Sequence, residues 1–100
     1  MSSEFHQEIF RQELPAFRSV YLRASPNGAV RIDAQDMGKT VEEIWGDSDY
    51  EFWVDVPETQ IQKLLFALLK DKYAGRAGAV DEFKDFCEAN GIENKWDSWA

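Results

Sequence analysis

Asp47-Ser48-Asp49-Tyr50-Glu51 sets carboxylates at alternate positions, and Asp55 and Glu58 follow where later ligands of a calcium loop would fall. Such a loop needs glycine at its sixth position to turn sharply; this chain has Phe52 there, then Trp53 and Val54, which favour extended backbone. Pro57 follows in the same window. The segment therefore reads as an ordinary acidic turn entering a strand, with a looser divalent site at Asp47 and Asp49 as the weaker reading. No metal ligand and no cofactor is assigned.

Paired carboxylates do acid–base work when burial or a neighbour separates their pKa values. Asp33, Asp36, Glu42 and Glu43 are the candidates, and Asp33 and Asp36 are expected to flank a strand end. Nothing in the spacing distinguishes them from a solvated face, so no catalytic residue is named. His6 is the single histidine, which disfavours a histidine triad or a histidine metal site. Cys87 falls on the apolar side of a helical pattern and reads as core, not as nucleophile. There is no G-x-S-x-G, Walker loop or G-x-G-x-x-G.

Charge is more informative. The chain carries a formal −8 in 100 residues, and residues 33–58 alone carry nine acids against Lys39. A field of that sign repels nucleic-acid phosphates and anionic membranes and attracts a basic protein. Within the band, Trp53 lies between Glu51 and Asp55 at every second position, opposite to Phe52. An outward Trp flanked by carboxylates has the make-up of a contact surface, since Trp commonly anchors interfaces; the alternative is that other aromatics cover it. The expected binding residues are Asp33, Asp36, Asp47, Asp49, Glu51, Trp53 and Asp55.

The elements that must position them follow from period and punctuation. With 44% hydrophobic residues, the chain can build a core and is expected to form one domain over residues 1–100. Residues 3–14 fit either a short helix, through Phe5, Ile9 and Leu14, or a strand running to Pro15; the strand-rich context favours the strand. Residues 16–24 alternate, Ser25-Pro26-Asn27-Gly28 is a strong turn, and Val30, Ile32 and Ala34 then share a face, so a hairpin is expected. Thr40 and Glu43 suit a capping box for a short helix over 38–45. Tyr50, Phe52, Val54 and Val56 alternate as a third strand. Ile61, Leu64, Leu65, Leu68 and Leu69 follow helical spacing in a helix over 57–73, and Val80, Phe83 and Cys87 do so in one over 78–90. The alternation over 92–99 suggests a last edge strand. The sum is an α+β two-layer sandwich: a mostly antiparallel sheet of three to five strands with the two longer helices on one face.

The run WGDSDYEFWV, the Leu-rich helix, AVDEF and the closing WDSWA resemble a group of small bacterial proteins of unassigned function, over most of the chain from Phe17 onward. The resemblance implies a bacterial, cytoplasmic source and carries over no site. The absence of a leader pattern in MSSEFHQEIF and of a spanning apolar run agrees with a cytoplasmic expectation.

The residues thus favour a non-enzymatic acidic protein-binding module, immunity- or antitoxin-like or regulatory, that meets a basic protein through residues 33–58. The alternative is a small-molecule binder or enzyme with a carboxylate and aromatic pocket. Neither nucleic acid nor membrane is expected as a partner. The chain is expected to be a monomer or a weak homodimer, the latter through Trp96 and Trp99 on the last strand.

Overall fold

The computed structural model describes residues 5–37 and 49–99. The sequence builds strands β1 (His6–Gln12), β2 (Phe17–Ala24), β3 (Val30–Met37) and β4 (Asp49–Val56), a 3-10 turn at Glu58–Gln60, and helices α1 (Ile61–Tyr73) and α2 (Ala79–Ala89). The chain has an α+β composition, with one antiparallel sheet in the order β1-β2-β3-β4 and two helices. It divides into two compact units, 1–64 and 65–100. The expected helix over 38–45 lies outside the described residues.

Residues 3–14 resolve in favour of the strand: β1 pairs with β2, with a bulge at Ile9 between Glu8 and Phe10. The β2–β3 hairpin forms about Ser25–Gly28. Ser25 accepts a hydrogen bond from the Gly28 N–H at 2.9 Å, and Asn27 Oδ1 accepts one from the Ala29 N–H at 3.0 Å. Gly28 sits at φ +97°, a conformation that side-chain-bearing residues avoid.

Alternation then sorts the sheet into two faces. Rows Val20–Ala34–Phe52, Leu22–Ile32–Val54 and Ala24–Val30–Val56 cross three strands on one face. Only Ala34 among them is buried. The opposite face carries the rows Ser19–Gln35–Glu51, Tyr21–Asp33–Trp53 and Arg23–Arg31–Asp55.

In the second unit, Cys87 is buried, as its helical position predicts, and Tyr73 meets Phe83 edge-on with ring centroids 5.7 Å apart. Gly91, at φ +68°, ends α2, and the Ile92 N–H donates back to the Cys87 carbonyl at 2.8 Å. The strand expected over 92–99 does not form; this stretch has no regular structure. Alternation makes a strand only when a neighbour supplies ladder partners. Here local side chains take that place: Asn94 Nδ2 donates to the Ile92 carbonyl at 3.0 Å and Asp97 Oδ1 accepts from the Ser98 N–H at 2.8 Å. Trp99 is 99% exposed. The edge-strand pairing through Trp96 and Trp99 therefore loses its basis.

Two outcomes test this account. Gly28→Ala sets a Cβ on a positive φ and lowers stability by about 1–2 kcal/mol in urea denaturation. In the second unit, Arg76 grips Glu82 through two hydrogen bonds of 2.6 and 3.0 Å, and this holds the Glu82 carboxyl below its ordinary 4.5. The fold favours the ionised form, so the pair contributes above the unfolded value and is lost as pH falls through the depressed one. An NMR titration should place the Glu82 midpoint below 4.5, and Arg76→Gln should return it upward.

Candidate functional site

The polar face of the sheet gathers most of the residues expected from the sequence. Asp33 stands in the middle of β3, directly between Tyr21 on β2 and Trp53 on β4. Asp49, Glu51 and Asp55 lie on the same face along β4. Asp36 does not. Three residues from Asp33, it points to the opposite face, where Arg18 holds it through two hydrogen bonds of 2.5 and 2.6 Å. The expectation that Asp33 and Asp36 flank a strand end is thus corrected: β3 runs on to Met37 and contains both, and their odd spacing sends the two side chains to opposite faces. Asp47 lies outside the described residues.

Neither is the acidic band a bare negative surface. Three of its acids take arginines from β2 and β3. Besides the Arg18–Asp36 pair, Arg23 Nε donates to Asp33 Oδ2 at 2.8 Å, and Arg31 donates twice to Asp55, at 2.6 and 3.1 Å. Contact with Asp55 raises the Arg31 pKa further above its usual value, mainly through the hydrogen bond. Asp49 and Glu51 have no cation partner among the described residues. The negative charge still open on this face is therefore concentrated at the start of β4.

Aromatic rings carry the same arginines. The Arg31 guanidinium lies over Trp53, 4.9 Å from the ring centroid, and that of Arg23 over Tyr21 at 5.0 Å. Arg23 also reaches His6, with Nη1 to Nε2 at 2.9 Å. Each arginine is thus held by a carboxylate and a ring at once, which fixes long side chains that would otherwise move freely. Trp53 stays 51% exposed, on the side shared with Glu51 and Asp55.

Between these groups the face is hollow. A cavity of about 260 Å³ opens among Ser19, Tyr21, Arg23, Arg31, Asp33, Gln35, Glu51 and Trp53. Two of its polar groups lack partners. Ser19 is 4% exposed, yet its hydroxyl makes no hydrogen bond among the described residues. Asp33 Oδ1 is shielded and likewise unpaired. Buried polar groups are normally satisfied, so the unpaired Asp33 oxygen is a departure that the strands alone do not require. Among the described residues, no three His, Cys, Asp or Glu side chains converge as a metal would need.

The sequence reading missed Ser19, Tyr21, Arg23, Arg31 and Gln35 as parts of this site. The signal was present in the hairpin. A Pro-Asn-Gly turn centred between residues 24 and 30 sets Tyr21 opposite Asp33, so the alternation in β2 already names the residues that face it.

A second hollow, of about 630 Å³, lies in the helical unit and is walled chiefly by Phe66, Leu69, Val80, Phe83 and Trp96. Tyr73 lines it, its hydroxyl is unpaired among the described residues, and desolvation raises the phenol pKa above 10.0. Its lining is largely apolar and offers no acid–base arrangement. No described helix is long and apolar enough to cross a membrane. No family model, no curated protein and no solved structure matches the chain.

The unpaired Ser19 hydroxyl yields a direct test. Ser19→Ala removes a hydroxyl that makes no hydrogen bond among the described residues, so stability should be unchanged or rise by up to about 1 kcal/mol in denaturant titrations. A loss larger than that would show that the hydroxyl has a partner in the folded chain.

Proposed function

We propose that this chain is a non-enzymatic binding module and that the polar face of the sheet is its contact surface for a basic protein. One observation carries the reading. Trp53 is half-exposed in the middle of β4 on that face, held beneath Arg31, while neighbouring Glu51 and Asp49 have no cation of their own among the described residues. A rigid ring beside open carboxylates supplies both an anchor and an attraction that steers a cationic partner to it. The remaining expected residues divide by role under this proposal: Asp33 and Asp55 hold the arginines in place, and Asp49 and Glu51 meet the partner. An immunity- or antitoxin-like or regulatory role, in the cytoplasm of a bacterium, is the setting that this surface and the acidic sequence suit.

The small-molecule reading is favoured by a different observation, the hollow with its unpaired Ser19 hydroxyl and Asp33 Oδ1. At about 260 Å³ it falls below the range of drug-sized and cofactor sites, and so suits a group no larger than a side chain.

The test is a titration of isotopically labelled protein with a lysine- and arginine-rich peptide at low and high salt. Backbone signals of Asp49, Glu51 and Trp53 should shift, and the affinity should fall as salt screens the charges. Trp53→Ala and Glu51→Lys should each weaken binding about tenfold or more. Shifts confined to other surfaces, or full affinity in both variants, would overturn the proposal.

A further inference from the structure

We propose that the hollow on the polar face of the sheet is a pocket for one primary alkylammonium group, the chemistry of a lysine head; this rests on reading that face as the surface for a basic partner.

Ion pairing in and beside the hollow leaves one acid open. Arg23 and Arg31 are answered by Asp33 and Asp55, which leaves Glu51 without a counter-charge among the described residues. The hydrogen-bond balance points the same way. Arg31 spends Nε and Nη2 on Asp55, and Arg23 spends Nε on Asp33 while its Nη1 meets His6. Guanidinium, amide and hydroxyl donors remain in the lining, but the carboxylate acceptors Asp33 Oδ1 and Glu51 have no partner among the described residues. A ligand that completes Asp33 Oδ1, the shielded and unpaired oxygen of the lining, must bring a donor.

The choice between ammonium and guanidinium follows from the rings. A guanidinium gains much of its affinity by stacking on an aromatic face. Here Arg31 already occupies Trp53 and Arg23 occupies Tyr21. A compact ammonium needs no ring face: its donors suit the carboxylates that line the hollow, and its methylenes can lie along the ring edges. The cavity volume also fits one such side chain. Ser19 lines the same hollow, and its hydroxyl, which makes no hydrogen bond among the described residues, can accept from the same ammonium.

The test uses the full chain, labelled for NMR, with sodium chloride at equal ionic strength as the reference. The probes are n-butylammonium, a blocked tripeptide with a central lysine, and its arginine counterpart. Signals of Ser19, Asp33, Gln35 and Glu51 should move with the first two at tens of millimolar and much less with the arginine peptide. Asp33→Asn should weaken the response about tenfold, the loss expected for one hydrogen bond to a charged group. Ser19→Ala, which keeps the Arg23–Asp33 pair intact, should weaken it severalfold without loss of stability. A tighter lysine peptide identifies a partner's lysine as the source. A response to butylammonium alone identifies a free amine and sinks the protein-partner reading while the pocket stands. No response to either amine, equal response to arginine, or full binding in both variants overturns the pocket, and the partner reading then stands or falls on Trp53 and Glu51.

Discussion

The register of the β2–β3 hairpin is the constraint on which the rest of this structure depends. The side-chain period of a strand is two, so a slip of one residue would exchange every group between the faces. With Ser25–Gly28 closing the turn, Tyr21 meets Asp33 and Leu22 meets Ile32. A slip would set Val20 and Leu22 among the guanidiniums and bring Ser19 and Tyr21 to the apolar side. Gly28, at φ +97°, and the Asn27 side chain that receives the Ala29 N–H make this turn geometry accessible. The local chemistry of four residues thereby decides which face is polar across the sheet.

Given that register, the arginines do two tasks. They neutralise Asp33, Asp36 and Asp55, and they lie over Tyr21, Phe52 and Trp53. Each pair is exposed or only part-buried and individually weak. Their joint effect is positional: a carboxylate at one end and a ring beneath leave the guanidinium few alternative places. The hollow between them therefore has defined walls.

How much of this was legible depends on how local each cause is. The hairpin, the strand over 49–56 and the face of Trp53 opposite Phe52 all follow from alternation and turn chemistry, which a sequence displays directly. The split of Asp33 from Asp36 was legible too, from their odd spacing, but grouping acids by charge concealed it. Pairings between strands were harder. That Arg31 would meet Asp55, 24 residues away, needs the register of a third strand as well as the hairpin. The misread segment, 92–99, shows the limit from the other side. Its alternation is real, but a strand is a property of two segments, and no described neighbour supplies the second.

The bulge at Ile9 has a consequence of a different kind. β1 is an outer strand of the described sheet, and its free edge presents unpaired backbone groups to any passing chain. The extra residue between Glu8 and Phe10 breaks the even spacing of those groups, and Arg11 is tied to Glu8 and Glu13 along the same edge. A regular strand approaching from solution finds neither a matching ladder nor an uncharged border. At high concentration this margin of the molecule resists templating its own aggregation, which a small acidic chain with so many half-exposed aromatic and aliphatic side chains would otherwise invite.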